Sequence, residues 1–326
     1  MDRWATLIIV PLGIMLGLLI CLVPGVTGGP LEALSVPSLQ SADTPATADD
    51  PPTDRTHSTA GRFFEPAAPL HRLEHFFRAL EATGQRGAGT SILQLGDSHT
   101  AADTLSGQLR RRLQLRFGSA GRGYAPPGEP WPGFRQENMR WGMSRGWTSR
   151  IGTDSGVTGS FGIGGVRLET RAAGASVTRR TCHDCRFGRS FDSYALHYLQ
   201  QPGGGHIAIE VDGQTQRRVS TEGTTGLGVV EGDVPPGDHE VRVVSAGGGP
   251  VSLLGLRTRS GDRGVEYASL GINGATAPDF AEMHDAVTDA QLRRLDPDLL
   301  VFAFGTNGAY NLHRFARKYA DNPKAI

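Results

Sequence analysis

Lysine and cysteine are scarce in this chain of 326 residues. The only lysines are Lys318 and Lys324, so nearly all of the 33 basic residues are arginines, and 33 acidic residues balance them. Because the net charge is zero, the composition gives no electrostatic reason to expect binding to a polyanion. We therefore predict that the chain has no nucleic-acid partner.

Charge is also absent from a long run that follows Asp2 and Arg3. An uncharged run extends from Trp4 to Leu31 and is apolar to about Val26. An apolar run above ~18 residues is long enough to span a bilayer, and it exceeds the apolar region of a typical signal peptide. We predict that residues 1–35 form an uncleaved signal anchor held in the membrane by residues 4–26, with a cleaved signal peptide as the alternative.

Large apolar residues are nearly absent from the next segment, residues 36–62, which are rich in Ser, Pro, Thr, Ala and Asp. Such a composition cannot bury a core and predicts a disordered linker. A membrane segment followed by a flexible tether places the globular part outside the cytoplasmic membrane. We therefore expect an exported protein, either periplasmic or extracellular.

The chain has three cysteines, and two of them, Cys182 and Cys185, are close in sequence. A four-ligand zinc site would need a second such pair, which the sequence does not contain. In an exported protein a local disulfide is the simpler interpretation. A redox role is less favoured, because no βαβ pattern surrounds the pair. We predict a disulfide, no metal and no cofactor.

The most informative segment is residues 91–100, Ser-Ile-Leu-Gln-Leu-Gly-Asp-Ser-His-Thr. An apolar strand runs into Gly96-Asp97-Ser98, and a helix-like run follows from about Ala101 to Phe117. In open α/β folds, ligands and nucleophiles lie where parallel strands end. Ser98 would lie at the helix N-terminus, where backbone N–H groups favour a developing negative charge. The alternative is that Asp97 and Ser98 only cap the helix.

Two later apolar runs end in comparable residues. Residues 267–276 end in Asn273-Gly274, and residues 298–309 end in Gly305-Thr306-Asn307. Three predicted strand ends therefore carry Ser, Gly and Asn in this order. Taken singly, the glycine could belong to an ordinary turn and the asparagine to an Asx turn.

This ordered set resembles the SGNH (GDSL-type) hydrolases, whose first three sequence blocks are a Gly-Asp-Ser, a Gly near an Asn, and a Gly-x-Asn. With Gly-Arg-Gly-Tyr at 121–124, the chain resembles the peptidoglycan O-acetylesterase branch over residues 68–126 and 264–310. The resemblance implies a serine esterase in which Ser98 attacks the acyl carbon. The Ser98 N–H, the Gly274 N–H and the Asn307 side-chain amide would hold the oxyanion. Gly271 is a rival for the glycine position, because spacing does not decide between them.

The fourth block of that family, an Asp-x-x-His that supplies the general base, is missing. The one match, Asp54-Arg-Thr-His57, precedes Ser98 and falls in the linker, so we treat it as accidental. Gly308 stands where the family would have an acidic residue. The histidines that follow the nucleophile lack a convincing catalytic setting: His99, His284 and His313. We expect a shortened or frameshifted reading frame.

Residues 141–261 have a different texture, dense in glycine and poor in helical periodicity. Alternating stretches such as 206–211, followed by Asp212-Gly213, predict hairpins, and their even spacing predicts a β-sandwich. The family branch carries a module similar to a carbohydrate-binding module at this place. The segment is thus either a platform that holds a glycan near Ser98 or a structural lid. Five aromatic residues could stack on sugars or lie in the core: Trp147, Phe187, Phe191, Tyr194 and Tyr198.

The remaining parts, residues 63–140 and 262–326, are predicted to form one three-layer α/β/α SGNH-hydrolase (flavodoxin-like) domain that is incomplete at its C-terminus. Its predicted strands are 91–95, 265–271 and 299–304, and its amphipathic helices are 70–80 and 281–295. The strand at 299–304 is apolar on both faces, so it reads as an interior strand. If the chain ends at Ile326, that strand has an open apolar edge, and we expect aggregation and little activity.

These interpretations favour an exported serine esterase that removes O-acetyl groups from peptidoglycan or another cell-envelope glycan and that is crippled by the missing base. Its partner would be the acetylated cell-wall glycan. Two alternatives stay open: a non-catalytic glycan-binding relic, and an O-acetyltransferase that acts on the same glycan.

Overall fold

The structure is a computed structural model, and it describes residues 7–9 and 73–310. Of the predicted membrane segment, residues 4–26, it describes only residues 7–9; the linker at 36–62 and His313 lie outside the described residues. No helix within the described ranges is both long and apolar enough to cross a bilayer.

A four-stranded parallel sheet contains the predicted motif strands. Its order is β1 (Leu7–Ile9), β15 (Leu299–Ala303), β2 (Gly89–Gly96) and β14 (Gly264–Gly271). The central strand β2 is buried along almost its whole length, as expected for a parallel strand covered on both faces. The three strands predicted around the motifs are confirmed.

The edge of β15 differs from the prediction of an open edge. Strand β1 pairs with it in parallel, and Leu7 lies opposite Leu300 while Ile9 lies opposite Phe302. Three residues of the predicted membrane segment thus form the fourth strand. An apolar strand with free backbone N–H and C=O groups can pair with another strand. Here residues 7–9 pair with this edge of β15.

Six helices accompany this sheet in the described part of the chain: α1 (Glu74–Arg86), α2 (Ser98–Ala101), α3 (Leu105–Phe117), α4 (Ala277–Met283), α5 (Ala286–Leu295) and α6 (Thr306–Tyr310). Helix α1 packs on β2 and α3 packs on β14, and the two helices contact each other. They form the cover of one face of the sheet.

Two predicted helices are each broken in two. The run predicted from residue 101 to residue 117 is interrupted at Asp103, whose φ of 52° is left-handed. The helix predicted at 281–295 is interrupted because His284 is extended and Asp285 caps a new helix, accepting the Thr288 N–H at 2.9 Å. Asp and Asn favour such caps because their side chains satisfy N–H groups left free at a helix start.

Eleven further strands form two antiparallel sheets. The five-stranded sheet has the order β10 (Gln214–Ser220), β9 (His206–Val211), β12 (Glu240–Gly247), β7 (Ser176–Arg180) and β4 (Arg140–Met143). The six-stranded sheet has β11 (Gly226–Gly237), β8 (Phe191–Gln200), β13 (Val251–Arg259), β6 (Val166–Thr170) and β5 (Thr148–Ile151), and β3 (Gly123–Ala125) pairs with β13. Buried residues of both sheets share one apolar core, so the predicted β-sandwich is present.

Local signals in this sandwich are confirmed. Asp212 and Gly213 join β9 to β10 with φ angles of 51° and 78°, the two positive values that a type I′ hairpin turn requires. Cys182 and Cys185 form the predicted disulfide.

The predicted fold class, a three-layer α/β/α domain with an insertion, is wrong. Strand is the dominant structure of the described chain, which has three sheets, and the parallel sheet contributes only four of the fifteen strands. The second face of that sheet is covered only in part by helices. Tyr124 of β3 packs there with Met283 and Leu295, as do Phe161 and Ile163, which lie between β5 and β6. Because β-rich segments fill space that helices would occupy, no complete helical third layer forms in the described part.

A buried polar cluster joins the sandwich to the parallel sheet. Gln291 of α5 donates to the Tyr124 hydroxyl at 2.8 Å and to His197 Nδ1 at 3.1 Å, and it accepts the Ile163 N–H at 2.7 Å. Burial, with Coulombic repulsion from nearby arginines, lowers the pKa of His197 to about 3. The imidazole is therefore neutral in the folded protein, and its Nδ1 can accept the Gln291 hydrogen. The predicted domain boundaries at 140/141 and 261/262 stay predictions.

Candidate functional site

The ends of three parallel strands lie at one level of the sheet. Gly96 at the end of β2 is in register with Gly271 of β14 and with Ala303 of β15. The Gly96 carbonyl also accepts the Ile272 N–H at 3.1 Å. The parallel register thus brings the three sequence motifs to the same carboxyl edge.

Two glycines at this edge are required by close packing. A Cβ on Gly96 would lie 2.7 Å from the Ala303 carbonyl oxygen, and one on Gly271 would lie 2.2 Å from the Ala101 nitrogen. Real Cβ atoms do not approach backbone so closely, so the chain can turn from β2 into α2 beside β14 only with glycine at both positions. Gly271 is therefore explained by packing.

Gly274 has a different environment. It is exposed, its φ is 79°, and a Cβ built on it would meet nothing within 4 Å. The glycine is needed for its backbone conformation, and the space above it is open. This openness is compatible with the predicted oxyanion role, which stays a prediction.

Ser98 begins the four-residue helix α2, directly after the buried Asp97. Asp97 is the N-cap, and its Oδ1 accepts the His99 N–H at 3.0 Å. Ser98 itself is half-buried, so its hydroxyl lies at the surface of the edge while its backbone is held by the cap. The capping role is confirmed, and it is compatible with a nucleophilic role because a different side chain does the capping.

Asn307 is tied to the second motif. Its Nδ2 donates to the Ala275 carbonyl at 2.9 Å, next to Gly274. One amide hydrogen is used in this bond, and an amide has two. The third motif therefore lies beside the second, and Asn307 keeps one hydrogen that can donate elsewhere.

A buried ionic cluster lies behind this edge, and no sequence pattern predicted it. Asp103 forms two hydrogen bonds with Arg110, at 2.7 and 3.1 Å, and Arg122 lies 3.7 Å away. Ser269 of β14 donates to the same carboxylate at 3.0 Å, and the Glu137 N–H does so at 2.8 Å. The cluster therefore connects α3, β14 and the segment after β3.

Charge interactions in this cluster are strong because its members are buried. Burial raises the pKa of Asp103, but Coulombic attraction from Arg122 and Arg110 outweighs this effect and lowers the pKa to about 2. Burial, together with repulsion from Arg110, lowers the pKa of Arg122 to about 9. Asp103 and Arg122 are thus both charged at neutral pH. The predicted motif Gly-Arg-Gly-Tyr contains Arg122, so that motif carries a structural role.

A second buried contact supports the turn that holds Ser98. Gln94 of β2 donates to the Thr100 hydroxyl at 2.9 Å and accepts the Tyr267 hydroxyl hydrogen at 2.5 Å. The polar Gln94 in an otherwise apolar strand is the signal that could have indicated this contact.

Two of the candidate histidines, His99 and His284, are paired with carboxylates. His99 Nδ1 lies 3.1 Å from Asp97 Oδ1, and His284 Nε2 lies 2.9 Å from Asp289 Oδ1. Among residues 73–308, no histidine is hydrogen-bonded to the Ser98 hydroxyl. The general base is therefore not identified in the described part of the chain.

The aromatic residues of the sandwich lie mostly in its core. Phe191, Tyr194 and Tyr198 are 4 to 5% exposed, and Trp147 packs against the same core. Of the two possibilities that the sequence left open for them, the core role is confirmed for the three buried residues. Phe187 is half-buried.

Comparisons with known proteins give one extensive likeness. A solved structure of a peptidoglycan O-acetylesterase matches 77% of this chain and 67% of its own, with 25% sequence identity and a TM-score of 0.59. Shorter matches include a β-1,3-glucan-binding module of family 6, with 21% identity over 36% of this chain, 88% of that chain and a TM-score of 0.26. At so low a TM-score that likeness does not bear on function. No protein-family model matches the chain, and no curated protein does.

Proposed function

We propose that the chain carries the site of an exported SGNH-type serine esterase that removes O-acetyl groups from peptidoglycan or another cell-envelope glycan. The observation that carries the proposal is the meeting of three motifs at one sheet edge. The register aligns Gly96, Gly271 and Ala303, and Asn307 is bonded to the loop that holds Gly274. The match to a peptidoglycan O-acetylesterase supports the reaction class and the substrate.

In this proposal the Ser98 hydroxyl attacks the acetyl carbonyl and forms an acyl-enzyme. The bond from the acetyl carbon to the sugar oxygen breaks, and that oxygen takes up a proton and leaves as a hydroxyl group of the glycan. The negative charge of the tetrahedral intermediate is held by three donors: the Ser98 N–H, the Gly274 N–H and the free hydrogen of the Asn307 amide. Water then hydrolyses the acyl-enzyme. A general base must accept the Ser98 proton. No histidine in the described part is hydrogen-bonded to the Ser98 hydroxyl, so the residue that acts as base is not assigned.

The decisive experiment compares Ser98→Ala with wild type on a chromogenic acetyl ester and on O-acetylated peptidoglycan. We expect the variant to lose at least about 10³-fold in rate, since removal of a nucleophile leaves only binding and oxyanion stabilisation. Ser155→Ala, an exposed serine in the sandwich region, is the matched control and should keep wild-type activity. Turnover by Ser98→Ala above a tenth of the wild-type rate would overturn the proposal.

One observation favours a second function. Because no described histidine is hydrogen-bonded to Ser98, a chain that only binds acetylated glycan is the competing proposal. Wild-type protein that is retained on O-acetylated peptidoglycan but releases no acetate would support it. An O-acetyltransferase would instead transfer the acetyl group of a donor ester to the glycan. It would therefore release the alcohol of the donor only when the glycan is present.

A glycan-binding role for residues 141–261 is part of the proposal as well. Within the described part, Leu115 and Met143 are the exposed large apolar residues, and the aromatic Trp147 and Phe187 are half-buried. Stacking on a sugar would therefore involve half-buried aromatic side chains. Retention on peptidoglycan by Ser98→Ala, compared with a variant that lacks 141–261, tests the role; equal retention would contradict it.

A further inference from the structure

His99 is held in one orientation beside the nucleophile. Its backbone N–H and its Nδ1 both contact Oδ1 of Asp97, at 3.0 and 3.1 Å. Asp97 is fully buried, and its other oxygen, Oδ2, has no hydrogen-bond partner among the described residues. The imidazole side chain is 43% exposed. The ring is thus fixed at its Nδ1 end and open at its Nε2 end.

This contact determines what Nε2 can do. A carboxylate accepts hydrogen bonds, so Nδ1 must carry the hydrogen. In the neutral imidazole Nε2 is then an acceptor with a free lone pair. A group that binds there must be a donor, and in a sugar ester that donor is a hydroxyl.

The position excludes a direct role for His99 on the Ser98 hydroxyl. Successive residues of a helical turn point in directions about 100° apart and do not face each other. Its ring therefore lies to one side of the reacting hydroxyl. The exposed ring is one residue away from the reacting hydroxyl and is therefore within reach of the alcohol part of an ester whose acyl carbon meets Ser98.

We propose that His99 is a substrate-contact residue, whose Nε2 accepts a hydrogen bond from a sugar hydroxyl next to the acetyl ester. The inference rests on the proposed function and makes it more specific. It assigns to His99 the recognition of the alcohol part, separate from the oxyanion donors that recognise the acyl part. Asp97 becomes a positioning residue, because it acts through the imidazole.

Two isosteric substitutions separate contact from structure. In His99→Asn the amide nitrogen takes the place of Nδ1, so the bond to Asp97 is kept and the group at Nε2 is lost. In His99→Gln the amide takes the place of Nε2, so a polar group remains for the sugar while the bond to Asp97 is lost. His99→Ala removes both.

The measurement is the Kd of an O-acetylated disaccharide of N-acetylglucosamine and N-acetylmuramic acid, by calorimetry, in the Ser98→Ala chain so that no turnover occurs. We expect His99→Asn and His99→Ala to weaken binding about fivefold to tenfold, and His99→Gln to stay within about threefold, as loss of one neutral hydrogen bond implies. The Tm values should follow a different order from the Kd values, because His99→Asn keeps the bond to Asp97 and should have the Tm nearest to that of the chain with His99. His75→Asn is the control, because His75 is also an exposed histidine beside a carboxylate, Asp298.

The outcomes are distinct. If the disaccharide binds but His99→Asn matches histidine, or if all three variants bind equally, the contact is absent and this inference alone fails. If His99→Gln binds as weakly as alanine while His99→Asn binds as histidine does, the bond to Asp97 and not a sugar contact sets the affinity, and the inference fails as well. If wild type releases no acetate and the Ser98→Ala chain does not bind the disaccharide, the proposed function itself fails.

Discussion

The parallel sheet and the sandwich both have apolar cores, and they differ in the buried polar residues that accompany those cores. The sandwich core is a cluster of aliphatic and aromatic side chains, among them Leu168, Leu196 and Leu253 with no exposed area. Behind the edge of the parallel sheet the buried groups include Asp103, Arg110 and other polar side chains. Asp103 bonds to both Arg110 and Ser269, so buried ionic and polar contacts hold α3 against β14 near the strand ends.

Asn307→Ala should produce the largest effect, which is a loss of kcat at the edge of the parallel sheet. The sandwich should be unaffected. Loss of one oxyanion donor typically costs about 10²–10³ in kcat. We expect this loss on acetyl esters with little change in Tm, because Asn307 makes one described hydrogen bond to a loop. Steady-state kinetics together with thermal unfolding checks both parts. An unchanged kcat would remove Asn307 from the site.

Asp103→Asn should be the most damaging structural change. It leaves Arg110 and Arg122 buried beside a neutral amide, and breaking a buried pair on one side costs about 3–5 kcal/mol. Leu253→Ala in the sandwich should cost about 2–5 kcal/mol through a cavity. Urea unfolding measures both. If the Asp103 variant loses less than about 1 kcal/mol, the ionic cluster does not stabilise the edge.

Acid should affect the two regions at different pH. The folded pKa of His197 is about 3, below its unfolded value of about 6.5, so its contribution to stability is complete above pH 6.5 and is lost as pH falls towards 3. The folded pKa of Asp103 is about 2 against 3.8 unfolded, so its contribution is complete above pH 3.8 and is lost between 3.8 and 2.

His197→Asn sharpens that comparison, since the asparagine oxygen can still accept the Gln291 hydrogen. Wild type should lose up to about 1.4 kcal/mol of unfolding free energy per pH unit between pH 6 and 4 because of His197. The variant should show a flatter profile over this range. Parallel profiles for the two proteins would mean that His197 titrates normally.

The smallest expected effect compares two glycines. Gly213→Ala introduces a side chain into open space at a positive φ and should cost about 1–2 kcal/mol. Gly271→Ala adds a Cβ 2.2 Å from a backbone nitrogen and should cost more, since the backbone must move. Thermal unfolding gives both values. Equal costs would show that the strand ends can separate without penalty.

Local signals in the sequence predicted several features correctly. The apolar runs ending in Ser98, Gly274 and Asn307 became strands or the loops that follow them, and Asp212-Gly213 became a hairpin turn. These features depend on backbone preferences and on periodicity over a few residues, which a sequence contains directly. The close cysteine pair likewise predicted its own disulfide.

Other features depended on residues far apart in the chain. Asp103 meets Ser269 across 166 positions, and Gln291 meets Tyr124 across 167. The same is true of β1, whose residues 7–9 pair with 300–302. No local pattern encodes such partners, because a buried polar residue is identified only by what surrounds it.

By itself, the sequence determined the positions of the three motif strands, the Asp212-Gly213 turn and the three polar motifs at the strand ends, since these follow from local conformational preference. Only the tertiary structure decided that the fold is mostly β, that Gly271 serves packing while Gly274 faces open space, and that His99 is oriented by Asp97. The physical reason is that register, burial and hydrogen-bond partners are properties of the packed chain. They arise only when distant segments compete for the same space.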